Sequence, residues 1–598
     1  MDSCATFWRG KGDERLMTFV AKTGADGATR TLEEHARDVA CAFDVLLDTT
    51  ARREELEGAL GVPLDPPLRG RLLVLAALHD VGKADARWQA YVRGRRERLG
   101  HCNTLLGRYA VDAELRAALA PVLAWTTDAS GCLLTFVGHH GRPVDRDAIR
   151  RARVGAPSDD TAMVAAVARL RDVFCAEFGP VEPAPAMAWS AETSHVVAGL
   201  MMLADWIGSA IAFEPGDDRR AVARRHLENM GWWGVMPGVD GRQVLPADRA
   251  PRPVQKAVRR IPAEDRLVLI EDGTGSGKTE AALMRALDLV EVGAAFGLYF
   301  AVPTRSAAIQ LHDRVREIVE RLHPAQRERV VRLVPTAFDT SDRTTPPEAP
   351  RSWALSSTKA ASAAPFAVGT VDQALLSVLC VRHAWLRACG LRGRVLIVDE
   401  VHAGEPYTLA NVERLVHAHL AAGGHVVAMS ATLGEAAKAR LLGRRVRPMA
   451  DAVEDPYPLV STSGGRTTAP PAWRRSTTVD VEVVAHDAAV PGAVDAVGAG
   501  ARVLIIRSTV ADARWTAAQL RAAGLEPLLH HSRWADRDRR LLDAEVERRL
   551  APARRDAGPG VVVATQTCEQ SLDIDADLLV TDACPADTML QRWGRCHR

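Results

Sequence analysis

Several things are scarce in this sequence, and each absence narrows the reading. Its ten cysteines are scattered and none forms a C-x-x-C pair, which argues against a zinc ribbon or a disulfide framework and suits a reducing cytosol. It carries almost no net charge, 76 basic against 75 acidic residues. A nucleic-acid partner therefore cannot be argued from bulk electrostatics, and any basic track must be local. Lysine is rare while arginine and alanine abound, a pattern of coding bias rather than mechanism. The N-terminus shows no positive-then-apolar secretory pattern, and no self-similarity of solenoid period is present. One stretch, Val196 to Phe213, is apolar for nearly the length of a membrane span, but Asp205 interrupts it. A central Asp costs about 2.5–3.5 kcal/mol in a bilayer, so the stretch reads as a buried helix of a large soluble domain. A cytoplasmic protein with no membrane partner is expected.

What is present is length: 598 residues in an ordinary globular balance, enough for three or more units. Up to about Glu214 the pattern is mainly helical. Leu32, His35, Val39, Phe43 and Leu46 share one helical face. Arg71 to Leu78 is apolar almost all round, as in a buried helix, and Gly82 follows as a stop signal. Charges, Pro, Gly and a Trp pair then mark a linker. From Pro251 on, short apolar runs such as Leu267–Ile270, Leu298–Val302, Val395–Val398 and Val426–Met429 alternate with longer helical segments, the texture of buried parallel strands in an α/β unit. After a less regular stretch, a second such series runs from Val503–Ile506 through Leu578–Thr581. The expected units are a mainly α domain over 1–225, a linker over 226–250, an α/β domain over 251–435, a connecting segment over 436–500 and a second α/β domain over 501–598.

The strand ending at Ile270 runs into Glu271-Asp272-Gly273-Thr274-Gly275-Ser276-Gly277-Lys278-Thr279. The glycines, Gly275 and Gly277 among them, let backbone N–H groups wrap phosphates. Lys278 neutralises them, Thr279 holds Mg²⁺, and the following helix directs its positive end at the same anion. The strict pattern has Gly where Asp272 stands. Val395–Val398 runs into Asp399-Glu400-Val401-His402, with Asp399 suited to Mg²⁺ and Glu400 to the attacking water. Ser430-Ala431-Thr432 follows the next strand. Thr565 to Asp573 and the terminal Gln591-Arg592-Trp593-Gly594-Arg595-Cys596-His597-Arg598 complete the series. Arg595 and Arg598 are expected to reach across the cleft to the transferring phosphoryl group.

The first half offers a different chemistry: His35, His79-Asp80, His101, His139-His140 and Asp205, with Lys83 one turn beyond Asp80. Each alone has an ordinary reading, such as a core histidine or a surface pair. Together, imidazoles and carboxylates suit Mn, Fe, Co, Ni or Zn better than Ca. Asp80 can bridge two ions that clamp a phosphodiester, with Lys83 beside it as a further catalytic candidate. His195 lies roughly 280° round the helix from Asp205 at 100° per residue and is taken as structural.

The ordered motifs of the second half resemble motifs I, II, III and VI of superfamily 2 helicases. Pro251-Arg252-Pro253-Val254-Gln255 resembles the adenine-reading element, with Gln255 as base contact. Pro303-Thr304-Arg305 and Gly369-Thr370-Val371-Asp372-Gln373 resemble the elements that hold a nucleic-acid backbone. Val74-to-Lys83, His139-His140, Ala204-to-Ser209 and Thr565-to-Asp575 are similar to the HD nuclease fused to the type I CRISPR helicase. That resemblance implies an HD domain followed by two RecA-like domains. It implies one metal on His35, His79, Asp80 and Asp205, and another on Asp80, His101, His139 and His140. Thr304, Arg305, Gly369, Thr370 and Thr565 fall to nucleic acid, and Asp573 to the nucleotide side.

The implied function is CRISPR interference. A guide-RNA surveillance complex displaces one DNA strand. The HD site nicks it with two divalent transition metals (Mn, Fe, Co or Ni), and an ATP- and Mg²⁺-dependent motor moving 3′ to 5′ draws single-stranded DNA in. The family continues beyond the last helicase motif with more of the second lobe and an accessory domain. A truncated chain is therefore expected, its second RecA-like domain incomplete. The alternatives are an ATPase-impaired chain acting only as a nuclease or a DNA- and complex-binding module, and a DNA helicase whose HD part hydrolyses nucleotides.

Overall fold

The first long helix, Leu32–Leu47, begins at a capping box. Glu34 N donates to Thr31 Oγ1 at 3.2 Å, and Thr31 N donates to Glu34 Oε2 at 2.9 Å, which satisfies two donors that a helix start otherwise leaves open. Leu32, His35, Val39, Phe43 and Leu46 are all buried, and burial continues round most of the helix. Its polar residues are accordingly paired: Asp38 meets Arg219 at 2.6 Å and Arg30 at 3.2 Å. The helix Ala191–Ala210 packs alongside. A Cβ on Gly208 would stand 2.9 Å from Val39 Cα, so glycine is what admits the close approach of the two backbones. That approach brings His35 and Asp205 together.

The computed structural model describes residues 19–596 except 24–28, 93–99, 142–146, 148–149, 151–160, 180–184, 212, 215, 230–238, 274, 323–329, 335–363, 402–405, 473–477, 552–557, 570–571 and 573. Around the central pair, helices Thr50–Leu60, Pro66–Ala77, His101–Tyr109, Ala113–Leu123, Ala129–Val137 and Thr161–Phe178 share one apolar core. A hairpin of β1 (Val20–Thr23) and β2 (Thr29–Thr31) precedes them. The helix Pro66–Ala77 starts with Asp65 accepting from Leu68 N at 2.8 Å and with Pro in its first turn. The apolar stretch after Val196 is the inner helix of this domain. Among the described residues no helix is long and apolar enough to cross a membrane.

The next unit is a sheet of β3 (Leu267–Glu271), β4 (Gly297–Val302), β5 (Val330–Leu333), β6 (Phe366–Thr370), β7 (Arg394–Val398), β8 (His425–Ser430), β9 (Leu459–Thr462) and β10 (Thr467–Thr468). Their order is β10-β9-β3-β8-β7-β4-β6-β5, and β3 to β8 run parallel. Alternate residues of one strand serve two cores: Val268 and Ile270 enter one cluster, Leu267 and Leu269 the other. This is the period of two expected when both faces are covered. The stretch 436–500, read as a connecting segment, departs from that reading, because it returns to the sheet. β9 pairs antiparallel with β3, and β10 with β9. These strands are short and rich in Thr, so the open edge of β3 makes them strands rather than their own pattern.

The last unit is a parallel sheet of β11 (Arg502–Ile506), β12 (Leu528–His530), β13 (Gly560–Ala564) and β14 (Leu578–Thr581), in the order β12-β13-β11-β14. The fold is thus a helical domain followed by two α/β domains with parallel sheets, as expected from the sequence.

The helical domain does not end with its own sequence. Helix Ala384–Leu391, which precedes β7, puts Leu386 and Cys389 into the core of that domain. A Cβ on Gly199 would stand 2.7 Å from Trp385 O, and Arg392 Nε meets Glu55 Oε1 at 2.5 Å. A Leu386→Ala substitution therefore opens a cavity in a core shared by two domains. It is expected to destabilise the first urea-unfolding transition of the chain by about 2–5 kcal/mol; an unchanged midpoint would mean that the helix is only superficially docked.

Candidate metal centre and nucleotide site

Asp80 lies at the middle of the helical domain, 1% exposed. It sits on the 3₁₀ stretch Leu78–Ala84 that continues the helix Pro66–Ala77. A Cβ on Gly82 would stand 2.3 Å from His101 O, so a glycine in this turn admits the backbone carrying His101. Asp80 Oδ2 is 3.1 Å from His35 Nε2 and 3.4 Å from His79 Nε2. Asp80 Oδ1 is 2.8 Å from His101 Nε2 and 3.4 Å from His139 Nε2. Asp205 Oδ1 stands 3.5 Å from His35 Nε2 and 3.9 Å from His79 Nε2. His140 Nε2 is 3.3 Å from His101 Nε2. Lys83 Nζ closes an ion pair on Asp80 Oδ2 and lies 5.6 Å from the Trp88 ring centre.

Two second contacts fix the ring orientations. His79 Nδ1 meets Ala76 O at 2.8 Å and His139 Nδ1 meets Phe136 O at 3.0 Å. With Nδ1 as donor to a carbonyl, the lone pair is on Nε2, which turns inward. Both Nε2 atoms are buried and face Asp80 at 3.4 Å. Burial would raise the Asp80 pKa, but Lys83, then His79 and His101, hold it well below the carboxylate range. Burial lowers the His101 pKa, and it takes His140, crowded by His139 and His101, down to about 3. Neutral imidazoles and an ionised carboxylate are what a metal requires; burial favours that form at His101 and His140, whereas at His139 burial is outweighed by Asp80, which raises the pKa, so a metal there has to displace a proton. Donor atoms of His35, His79 and Asp80 lie within 4.8 Å of one another, as do those of His101, Cys102, His139 and His140. The residues therefore fit two adjacent divalent cations. Cys102 is the addition that no sequence signal marked; burial pushes its thiol pKa up, so it is the weakest donor of its group. His195 takes no part and lies against Trp385, ring centres 5.8 Å apart.

The second constellation forms at the carboxyl ends of the parallel strands, where open α/β sheets bind ligands. After β3, Gly275 and Gly277 take positive φ, 72° and 98°. Lys278 Nζ donates to Asp272 O at 2.6 Å and Gly273 O at 2.9 Å, so the loop is folded round its lysine. Thr279 is half-buried in the first turn of helix Lys278–Glu291. Asp272, the departure from the glycine pattern, accepts from Gly273 N at 2.7 Å through its own side chain, and its N–H donates to Ser430 O at 3.3 Å. The backbone at this position, whatever its side chain, thus ties the loop to the end of β8. Gln255 is buried beneath, donating from Nε2 to Gly277 O at 3.2 Å and accepting from Arg252 N at 2.8 Å.

After β7, Asp399 and Glu400 are adjacent acids. Glu400 has φ 49°, a conformation that a non-glycine residue adopts at a cost and that is concentrated at functional sites. Its N–H donates to Asp399 Oδ1 at 3.0 Å, and Val401 N donates to Met429 O. Burial first and Glu400 second raise the Asp399 pKa to about 7. The Tyr457 hydroxyl donates to Ala431 O at 3.0 Å, and Asp272, Glu271 and Glu400, after burial, push its pKa up. Tyr457 thus contacts the Ser430-Ala431-Thr432 element, a contact that sequence reasoning missed because the residue comes from the segment after β8.

Thr304 and Arg305 follow β4, and Gly369 and Thr370 end β6. Since β4 and β6 are paired in parallel with Val302 opposite Thr370, the two pairs stand side by side. Thr304 Oγ1 accepts from Ala307 N at 3.2 Å, starting helix Arg305–Leu322. No Cβ fits at Gly369, where Leu333 O would lie 2.6 Å away. In the last domain Thr565 N donates to His530 O at 3.2 Å. Arg595 is turned into its own domain, donating to Leu572 O at 2.6 Å and, through Nη2, to Glu569 O at 2.7 Å. Arg592, not singled out from the sequence, forms a buried ion pair with Glu569 and bonds Thr581 Oγ1 at 2.5 Å. Asp573, Arg598 and His402 lie outside the described residues.

Residues 21–213 match the family described as Cas3, HD domain; residues 252–439 match DEAD/DEAH box helicase; residues 499–598 match CRISPR-associated nuclease/helicase Cas3, C-terminal. The chain is 29% identical to the CRISPR-associated endonuclease/helicase Cas3 of Thermus thermophilus, over 88% of this chain and 66% of that one. It is 30% identical to the Escherichia coli protein of the same description, over 68% of this chain and 51% of that one. It thus spans between about half and two thirds of these curated relatives. The crystal structure of T. fusca Cas3 with ATP superposes with a TM-score of 0.74 at 26% identity, covering 97% of this chain and 72% of that one. A chain of a structure described as a CRISPR RNA-guided surveillance complex, pre-nicking, superposes with a TM-score of 0.65 at 26% identity, covering 97% and 71%. HD nuclease and helicase domains of these kinds use, in general, a metal and ATP.

The neighbouring acids generate a prediction with a definite sign. The pKa of Asp399 is raised, so near neutrality it holds a proton that must leave before the carboxylate can accept Mg²⁺. Mg²⁺-nucleotide affinity is expected to rise with pH by up to about tenfold per unit below pH 7 and to level off above it. Asp399→Asn should flatten the profile. Fluorescent-nucleotide titration between about pH 5.5 and 8.5 reads this directly, and a flat wild-type profile would exclude it.

Proposed function

We propose, for a chain that belongs to the CRISPR-associated Cas3 nuclease/helicase family, a cytoplasmic metal-dependent DNA nuclease joined to an ATP-driven translocase and recruited by an RNA-guided surveillance complex. The observation that carries this reading is the Asp80 carboxylate shared between two groups of inward-turned imidazoles. The proposed units are 1–225, 251–435 with the strands β9 and β10 added to its sheet, and 501–598. His35, His79, Asp80 and Asp205 would hold one divalent transition metal, and Asp80, His101, His139 and His140 a second (Mn, Fe, Co or Ni). Bound there, the pair supplies Lewis acidity and water activation for in-line attack on a phosphodiester. The chain's own share is orientation: Ala76 O and Phe136 O fix two rings, and Lys83 keeps Asp80 ionised while offering a cation for the phosphate.

In the motor, Lys278 leaves the Asp272 and Gly273 carbonyls for the nucleotide phosphates. Thr279 and Asp399 take Mg²⁺, Glu400 orients water and Gln255 reads the base. Thr304, Arg305, Gly369, Thr370 and Thr565 line a track for single-stranded DNA, read through its backbone and hence salt-sensitive. An arginine-finger role for Arg595 requires it to give up Leu572 O and Glu569 O, so it belongs to a closed state of the two lobes. Asp573 and Arg598 are assigned on motif position alone. Nicking of the displaced strand and movement 3′ to 5′ complete the proposal, in line with the pre-nicking complex to which the chain is similar.

The test is degradation of circular single-stranded DNA with Mn²⁺, Co²⁺ or Ni²⁺, with and without ATP, beside Asp80→Ala. Cleavage without ATP is expected, abolished in Asp80→Ala, and DNA-stimulated ATP hydrolysis should accompany it. No cleavage with any of the metals, from folded protein, would overturn the nuclease reading in favour of a binding module.

A further inference from the structure

His383 does not belong to the HD domain, yet it touches that domain beside two metal-ligand positions. It ends the segment that runs from Thr370 through the helix Val371–Leu375, and it caps the helix Ala384–Leu391 that enters the HD core. Its main-chain N–H donates to Gly141 O at 3.0 Å. Its ring lies directly on Gly141, where an added Cβ would stand 2.2 Å from Nδ1 and 2.6 Å from Cγ. The same ring is 5.9 Å from the Trp206 ring, centre to centre. The preceding residue, Arg382, donates to His140 O at 3.4 Å. Gly141 follows His140 in sequence, and Trp206 follows Asp205. One side chain of the motor domain therefore bears on the immediate neighbours of ligands from two separate HD elements, the loop after helix Ala129–Val137 and the helix Ala191–Ala210.

The backbone makes the contact costly. His383 has φ 62° and is 4% exposed. A buried residue held in the left-handed region persists only where its surroundings over-determine it. Gly141 opposite has φ 73°, a conformation that glycine takes without strain, so the cost lies on the His383 side. A cavity of about 610 Å³ opens at this contact, lined in part by Gly141, Met202, Leu379, His383 and Trp385.

We infer that His383 is a positioning residue for the HD metal centre: it wedges between Gly141 and Trp206 and sets the loop carrying His139 and His140. The inference rests on the reading of that centre as a two-metal site. It makes the nuclease dependent on the motor domain without any motor side chain touching the metals. Because the wedge is continuous with Thr370, placed on the DNA track, the grip on DNA and the nuclease centre share one short piece of backbone.

The test is Co²⁺ titration of the full chain, read by the ligand-field absorption spectrum, for wild type, His383→Gly and Gly141→Ala. Glycine at 383 keeps the left-handed backbone without strain while removing the ring; alanine at 141 attacks the same contact from the HD side. One of the two binding steps is expected to weaken roughly 10–100-fold, as loss of an outer partner of a metal ligand does, with the other step retained and the unfolding midpoint near wild type. Unchanged Co²⁺ spectra and affinities in both variants would overturn the inference and leave the metal centre standing. It would also be overturned if affinity fell only in step with a lowered unfolding midpoint, since that is general loosening of the junction. No Co²⁺ binding by wild type would overturn the metal-centre reading and this one with it.

Discussion

A buried carboxylate among imidazoles is the constraint round which the helical domain is built. Asp80 has almost no access to water, and an unpaired carboxylate there would be costly. It stays ionised because Lys83 and the histidines surround it. Those partners come from four separate pieces of chain: the helix of His35, the turn of His79, the helix of His101 and the loop of His139. Meeting at one carboxylate requires the close approaches that Gly208 and Gly82 permit. The core and the site are thus one solution, since the helices that bury apolar surface also deliver the ligands.

The same logic crosses the domain boundary. Leu386 and Cys389 complete the HD core from the motor side, and His383 stands at the start of that same helix. That junction is built from shared apolar core, whereas the two α/β domains meet at a polar contact, Gln310 Nε2 to Glu547 Oε1 at 3.0 Å.

Much of this was legible in the sequence, for physical reasons. The buried strands announced themselves as apolar runs because both faces of each sheet are covered. The phosphate loop and the acidic pair have fixed spacing because their ligands do. The face from Leu32 to Leu46 was readable because it follows a helical period. What was not legible depends on distant partners. β9 is a strand because β3 leaves an edge. Tyr457 reaches the Ser430-Ala431-Thr432 element from a segment with no period of its own. His383 matters because of a domain that precedes it by hundreds of residues. Asp272, seen from the motif as a flaw, turns its side chain onto the next backbone N–H, that of Gly273.

Asp80 and Asp399 show how the two halves differ. Both are deprived of water, but Asp80 is met by cations and Asp399 by Glu400. The pKa of Asp80 lies below its unfolded value, so it contributes stability above that value and loses it as pH falls. The pKa of Asp399 lies above its unfolded value, so its burial costs stability as pH rises from about 4 toward 7. The first centre is electrostatically settled within the protein, with its imidazoles already turned inward. The second is settled only when a divalent cation and a nucleotide arrive, because the repulsion between adjacent acids is relieved by positive charge. In the first the fold itself supplies the opposite charge; in the second it maintains a repulsion between Asp399 and Glu400, so any arriving cation finds the larger gain at the second.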